Sequence, residues 1–514
     1  MHSAAIVVAL VVASALVAAF ADRWSIPAPS VLVLAGLGVA LVPGVPVVHP
    51  SPEAISLFVL PPLLYASAQD ISTRALRTMW RPVLALTLGL VLATALAVGA
   101  LAREISSLTL PMAFVLGAVL ASTDPVAVTA LGRRLPLPPR IQALVQTESL
   151  FNDATSLVLF QVALGVAAGT AGVGGGVDWL GAGWRFVVLA GGGMGVGAGL
   201  AVLVIALRAR TADPQLATVF ALATPYAAYL LGQGAGVSGV TAVVVAGVVV
   251  GSAGHRITDA RIRLQVHAVY DVVVFLLESA VFALIGLQLP ALVRDLPPGT
   301  GWWPVQAAVL AAALILVRVA WMRPTVARAG PTRDFPAWPV TRVLAWAGTR
   351  GVMPLAAALS IPIAAADGRV LADRPLVLVL TTAVVAVTLT VQGLTLGPVV
   401  RTSGLAVDPG HLAAKATEVR AALDEAALDY LDSLPADENV PGEVLDRLRR
   451  RHTAALAAAG DGGYPADAFA RLQLRVLDVQ RTELRRLHTG GRVNDALQRR
   501  IQHELDRVEA GLVR

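Results

Sequence analysis

From the N-terminus to about residue 400 the chain is written in long apolar blocks broken by short polar connections. A helix needs about 20 apolar residues to cross a bilayer core, and fewer where it is irregular. Thirteen blocks qualify, at 3–21, 28–48, 53–68, 82–102, 109–131, 141–169, 184–207, 214–232, 236–254, 269–290, 303–323, 341–361 and 375–400. They predict an all-α polytopic membrane protein of about 13 transmembrane helices. Beyond residue 400 the pattern changes: Leu, Ala and Val alternate with charges at helical spacing, as from Leu423 to Leu428 and from Val440 to Leu448. Pro441 suits the start of a helix and Glu443 its first turn. Gly460 to Gly463 separates two helical pairs. The division is therefore a transmembrane domain over 1–400 and a small cytoplasmic helical domain over 401–514.

Composition sharpens this picture. The 514 residues are 56% apolar and 14% charged, with a mean hydropathy of +0.71, against about 25% charged in soluble domains. Residues 401–514 hold 17 basic and 18 acidic side chains, so the positive balance lies in the membrane part. Loops after odd-numbered spans carry 16 arginines: Arg23; Arg74, Arg77 and Arg81; Arg133, Arg134 and Arg140; Arg208 and Arg210; Arg256, Arg261 and Arg263; Arg323, Arg328, Arg333 and Arg342. Loops after even-numbered spans carry 5: Arg103, Arg185, Arg294, Arg369 and Arg374. By the positive-inside rule this alternation places the N-terminus outside and the C-terminus in the cytoplasm. Arginines spread over span ends form no nucleic-acid patch. With no cysteine there is no disulfide, zinc-thiolate or thiol chemistry. The first 21 residues read as the first span, because no Lys or Arg precedes the apolar run. A signal cleaved near Ala19-Phe-Ala21 is the alternative. The tail has no phosphate loop, dinucleotide fingerprint or Cys/His metal spacing. Its His411, His452, His488 and His503 are titratable but scattered, as in an ordinary solvated tail.

Within the spans, Gly191, Gly195 and Gly199 recur every four residues, spacing that lets neighbouring helices approach closely. Ionised side chains are costly there, at least about 2.5–3.5 kcal/mol each, so each is a functional candidate. Away from span ends they are Asp124, Glu148, Asp153, Glu278, Arg318 and Arg350. Pairing among themselves, merely to hold helices together, is the structural alternative. Glu148 and Asp153 stand about 140° apart around a helix and cannot act as one bidentate site. Ser149 and Asp153 share a face, with Asn152 beside them. Carboxylate, hydroxyl and amide are hard oxygen ligands, suited to Na⁺ or Li⁺. Desolvation disfavours a charged carboxylate, so a proton competes with the cation.

Two spans are interrupted at depth. In Ser122-Thr-Asp-Pro-Val126, proline removes a donor and disfavours helix at Asp124. In Gly348-Thr-Arg-Gly-Val-Met-Pro354, Gly348, Gly351 and Pro354 surround Arg350. Broken spans are tolerated only where protein lines a cavity, and they mark transporter sites. The breaks fall seven spans apart, which predicts two inverted six-helix repeats, spans 1–6 and 8–13, with span seven as linker. Asp124 would neutralise helix N-termini and Arg350 helix C-termini.

Taken together, the runs L-P-P-L-L ending at Leu64, S-T-D-P-V-A-V ending at Val128, E-S-L-F-N-D-A-T ending at Thr155 and W-A-G-T-R-G-V-M-P-L-A-A-A-L ending at Leu359 resemble the bacterial monovalent cation:proton antiporter-1 family. The match follows residues 1–400 in order, and Arg481 to Leu487 is similar to the tail of its bacterial branch. The resemblance implies a core and a dimerisation part, alternating access, a homodimer in the bacterial inner membrane, and no cofactor. It implies that Asp153 carries cation and proton in turn, with Ser149 and the backbone oxygen of Thr123 as further ligands and Asn152 as polar support. It also implies a Glu148–Arg318 ion pair. In some members a glutamate follows the L-P-P-L-L-aromatic run. Here Tyr65 is followed by Ala66, so that ligand is absent. Glu278 lies on a span with no ligand of the family and reads as a packing or interface residue; compensation for the missing ligand is the alternative.

One titrating aspartate implies one proton per monovalent cation, hence electroneutral exchange of Na⁺, or Li⁺, for H⁺. K⁺/H⁺ exchange by the same machinery is an alternative. An intramembrane aspartyl protease using Asp124 and Asp153 is another, but it needs no broken span, and Arg318 and Arg350 would keep the carboxylates ionised. A channel would need rings of charge, which are missing from the sequence.

Overall fold

The computed structural model describes residues 28–42, 51–69, 71, 83–124, 137–168, 179–211, 213–257, 260–296, 299–328, 336–365, 368, 370–405, 409–434, 442–460 and 466–489, with residues 12–13, 15–17, 20, 501 and 505. Several expectations fall outside them: most of the first span and its signal alternative, the run from Pro125 to Val128, Arg23, Arg74, Arg77, Arg81, Arg133, Arg134, Arg333, Arg369, Pro441, residues 461–463 and His503. The chain divides into two compact units, Met1–Ala406 and Val407–Arg514.

Among the described residues, the regular structure of the first unit is helical, apart from an isolated bridge between Ala364 and Val370. Its helices are α1 (Ala28–Ala40), α2 (Leu60–Gln69), α3 (Val91–Ile105), α4 (Leu110–Ala121), α5 (Pro139–Ala167), α6 (Trp179–Ala209) and α7 (Pro214–Gly234). There follow α8 (Gly239–Ile257), α9 (Ala260–Arg294), α10 (Trp303–Arg328), α11 (Ala337–Trp346), α12 (Val352–Leu359) and α13 (Arg374–Ser403). π-helical turns at Ile55–Val59 and Ala85–Leu90 lead into α2 and α3. Among the described residues, seven helices are long and apolar enough to cross a membrane, and Ala28–Ala40, Leu110–Ala121 and Gly239–Ala253 are shorter apolar helices. This is the architecture of a multi-pass membrane protein.

Small residues set the closest helix contacts. Gly36 of α1 and Gly286 of α9 abut, so that a Cβ on Gly36 would lie 3.1 Å from the Gly286 Cα. The glycine stripe predicted to pack meets no other helix of this chain among the described residues. Gly191, Gly195 and Gly199 face open space, whereas Gly193 and Gly197 press against Ser238 and Ala242 of the α7–α8 junction and α8. The three consecutive glycines at 191–193 open more than one stripe of the same four-residue period, and α8 takes the one that continues into the fully buried Ala201. Gly197→Leu is therefore expected to lower thermal stability, since overpacking costs about 1–3 kcal/mol. Gly195→Leu is expected to leave it unchanged. Thermal unfolding of the detergent-purified variants distinguishes the two, and equal losses would contradict the observed register.

The packing that positions the site runs through α4, which lies against α3, α5, α12 and α13, while α10 packs on α3, α11 and α13. The second unit contains α14 (Pro409–Ser433), α15 (Gly442–Gly460) and α16 (Ala466–Thr489). There α14 and α15 pair through Arg449 to Asp432 at 2.9 Å and His452 Nδ1 to Asp424 at 2.7 Å.

Candidate functional site

The α4 helix stops at Ala121, and Ser122 takes up extended backbone (φ −62°, ψ 142°). That agrees with the loss of the Pro125 backbone donor, which would otherwise bond the Ala121 carbonyl four residues back. Residues 122–124 thus offer carbonyls and hydroxyls that no helix consumes. Across from them, α5 presents Ser149, the adjacent Asn152 and Asp153, and Ser156, all buried. Ser149 Oγ donates to the Thr123 carbonyl at 2.5 Å, and Ser156 Oγ donates to the Ala118 carbonyl at 2.8 Å. Asn152 Nδ2 donates to Thr123 Oγ1 at 3.2 Å and to Glu148 Oε1 at 3.1 Å. Ser122 Oγ donates to Asp153 Oδ1. Asp153, Ser149, Asn152 and Thr123 therefore share one buried cluster.

The second interruption, between α11 and α12, meets the first. Asp124 N donates to the Thr349 carbonyl and Thr349 Oγ1 donates to the Asp124 carbonyl, both at 2.8 Å. The Asp124 carboxylate accepts from Val352 N, the first amide of α12, at 3.1 Å. An anion there interacts favourably with the unsatisfied amides of a helix start. Gly351 makes this approach possible, since a Cβ would occupy the space of the Asp124 carboxylate. Arg350 Nη1 donates to the Gly348 carbonyl at 3.2 Å, just past the end of α11, and its amide donates to Thr388 Oγ1 of α13 at 3.4 Å.

Arg318 of α10 completes the set. Its Nη1 is 2.6 Å from Glu148 Oε1, its Nη2 donates to Glu148 Oε2 at 3.0 Å, and its Nε donates to the Leu344 carbonyl at 2.9 Å. The two side chains are 4% and 1% exposed. Gly348 lies directly over the guanidinium stem, where a Cβ would come within 2.5 Å of Arg318 Cδ.

Five ionisable groups are thus buried together, three carboxylates (Asp124, Glu148, Asp153) and two guanidiniums (Arg318, Arg350). Glu148 is matched to Arg318, and Asp124 is held by a helix start. Asp153 accepts from the Ser122 hydroxyl and has no guanidinium within salt-bridge distance among the described residues. The Asn152 Oδ1 acceptor beside it is buried with no donor. Asp124 and Asp153 are held by different donors, unlike a protease dyad built around a shared proton. Glu278 of α9 is half-buried, within electrostatic reach of Asp124, and α9 packs against α12. Ala66 is half-buried on α2, which also contacts α5.

Three residues of the site carry no charge and are not singled out by the cost of burial: Ser122, Thr349 and Thr388. Ser122 and Thr349 stand inside the two interruption motifs and are legible there. Thr388 lies in an uninterrupted apolar helix where a hydroxyl carries no signal.

Comparison with known proteins gives the family. Residues 8–402 match the family model for the transmembrane sodium/hydrogen exchanger. The chain is 35% identical to the uncharacterized Na(+)/H(+) exchanger Rv2287 of Mycobacterium tuberculosis, over 99% of this chain and 96% of that protein. It is 31% identical to the Na(+)/H(+) antiporter ApNhaP of Aphanothece halophytica, over 94% and 92%. The fold resembles that of the sodium proton antiporter MjNhaP1 from Methanocaldococcus jannaschii at pH 8, with a TM-score of 0.64 at 20% identity, covering 79% of this chain and 99% of that one. Such proteins are transporters, not enzymes, and take cation and proton as substrates without a cofactor. By sequence and by fold, the chain belongs to the sodium/hydrogen exchanger family of multi-pass membrane cation/proton antiporters.

Proposed function

We propose that the protein exchanges one Na⁺ for one H⁺ per cycle, electroneutrally, with Asp153 binding cation and proton in turn. The observation that carries this reading is the charge balance at the crossing. Three carboxylates against two guanidiniums leave one negative charge when all five are ionised, and among the described residues Asp153 is the one with neither a guanidinium at salt-bridge distance nor a helix start. A single monovalent cation or a single proton neutralises the cluster, but not both at once. Either loaded form is cheaper to bury than the empty one, because an uncompensated charge out of water is costly.

In the cation-loaded form, Asp153 supplies the anionic oxygen, with the Thr123 carbonyl, the Ser149 hydroxyl and the unpaired Asn152 Oδ1 as neutral oxygens. All are hard donors, as Na⁺ and Li⁺ require. Loss of the cation leaves the Asp153 carboxylate to take a proton at the same atoms. Glu148 and Arg318 hold α5 to α10 as a structural pair. Asp124 and Arg350 balance the helix ends at the crossing.

The reading extends to the whole chain. Residues 1–400 form the transmembrane antiporter domain with 13 spans in two inverted six-helix repeats, and 401–514 form a cytoplasmic helical domain. The protein sits in the bacterial inner membrane with its N-terminus outside and works by alternating access as a homodimer. The unpacked face of α6, with Leu180, Trp184 and the Gly191, Gly195 and Gly199 stripe, is a surface on which a second copy can pack.

Ala66 bears on ion identity. Without an acidic side chain there, fewer anionic oxygens offset the dehydration of a small cation, so apparent Na⁺ affinity is expected to be weak and K⁺ tolerated. Ala66→Glu is expected to tighten the Na⁺ and Li⁺ response, with a gain that grows with pH because the new carboxylate coordinates only when ionised. Apparent affinities of wild type and Ala66→Glu for Na⁺, Li⁺ and K⁺ at two pH values test this. Unchanged affinities in a transporting variant would exclude position 66 from the ion path.

A further inference from the structure

The crossing holds Asp153 by one carboxylate oxygen and leaves the other open. Ser122 Oγ donates to Oδ1. Among the described residues Oδ2 accepts no hydrogen bond and, unlike the Asn152 Oδ1 beside it, is not enclosed. Asp153 is accordingly 6% exposed, against 1% for Ser122 and 0% for Asn152. Ser122 itself is fixed from both sides along the chain. The α5 hydroxyls of Ser156 and Ser149 bond the carbonyls of Ala118 before it and Thr123 after it, at 2.8 and 2.5 Å.

Holding α4 to α5 does not need the Ser122 hydroxyl, because those two bonds already close the seam around it. What its own bond adds is orientation. The terminal torsion of an aspartate side chain is broad and roughly two-fold, so an unanchored carboxylate swings and presents either oxygen. A hydroxyl donating to a carboxylate makes one of the stronger hydrogen bonds, and here it fixes that torsion. A group already held in its binding geometry loses less freedom when the ligand arrives.

We propose that Ser122 is a positioning residue for the exchange, clamping Asp153 Oδ1 so that Oδ2 meets the cation. This role rests on Asp153 being the carrier, as proposed above, and divides its carboxylate into one oxygen that is held and one that works. A clamp acts on the carboxylate and not on the cation, so its loss weakens the binding of every transported cation by the same factor. A ligand oxygen would instead weigh more on Li⁺ and Na⁺ than on K⁺, because attraction to an oxygen grows as the separation shrinks.

The test uses the full-length protein in proteoliposomes at one fixed pH. Initial exchange rates are measured against the concentration of each cation that drives exchange, for wild type, Ser122→Ala and Ser122→Thr, with thermal unfolding of each. In Ser122→Ala the half-maximal concentration is expected to rise several-fold and equally for every cation, since apparent affinity falls with the fraction of molecules in the competent arrangement. Its maximal rate is expected to change far less. Ser122→Thr keeps the hydroxyl on backbone that is already extended, which a β-branched residue favours, and is expected to behave as wild type. An unchanged half-maximal concentration in Ser122→Ala, a fall in maximal rate alone, or a Ser122→Thr protein as impaired as Ser122→Ala would overturn the clamp. So would a loss concentrated on Li⁺ and Na⁺, which would make Ser122 a ligand, or a Ser122→Ala protein too unstable to assay, which would make the bond structural. An inactive Asp153→Asn beside an unimpaired Ser122→Ala strikes only the clamp, whereas an active Asp153→Asn strikes the carrier.

Discussion

Asp153→Asn is expected to reduce cation-driven proton movement to the level of empty vesicles while leaving a folded, extractable protein. Asparagine keeps an oxygen for the Ser122 hydroxyl, which donates to Asp153 Oδ1, so the seam between α4 and α5 has no new gap. What disappears is the carboxylate that, among the described residues, has neither a salt bridge nor a helix start, the group proposed to alternate between proton and cation. Asp153→Glu keeps a titrating group at a displaced position and is expected to retain partial exchange with a shifted pH profile. Both are read from proton movement in proteoliposomes alongside a thermal unfolding curve. Exchange by a folded Asp153→Asn protein at the wild-type rate would end the assignment of Asp153.

The second large effect concerns stability. The Glu148–Arg318 pair is almost wholly enclosed, and Arg318 also ties α10 to the end of α11 through the Leu344 carbonyl. Removing one partner strands the other charge, at a cost of about 3–5 kcal/mol. Glu148→Ala and Arg318→Ala are each expected to lower the unfolding temperature and the yield sharply. The double variant is expected to be less impaired than the two losses added together, because it strands neither charge. A double-mutant cycle on unfolding temperature measures the coupling, and strict additivity would show that the pair contributes nothing jointly.

Much of this arrangement is legible in the amino-acid sequence. The high cost of charge in a membrane singles out Asp124, Glu148, Asp153, Arg318 and Arg350, and the fold sets all five side by side. Pro125 and the glycines around Arg350 mark the two interruptions for the same reason that helices fail there, a missing donor and an unconstrained backbone. The register of packing is not legible. Gly191 and Gly193 begin stripes of equal period, and only the position of α8 decides which one is buried. An isolated hydroxyl is not legible either. Thr388 lies in an uninterrupted apolar helix and costs little there, so nothing in its neighbourhood announces that it receives the Arg350 amide.

The central claim is that one cation and one proton exchange at a single carboxylate with no net charge moved. The most direct measurement is the initial rate of Na⁺-driven alkalinisation in acid-loaded proteoliposomes carrying a pH-reporting dye, with membrane potentials of either sign imposed. One elementary charge moved across 100 mV is worth about 2.3 kcal/mol, enough to separate the cases clearly. The account predicts the same Na⁺-dependent rate at every potential. A rate that rises with one sign and collapses with the other, or no response to Na⁺, Li⁺ or K⁺ from mildly acidic to alkaline pH, would contradict it.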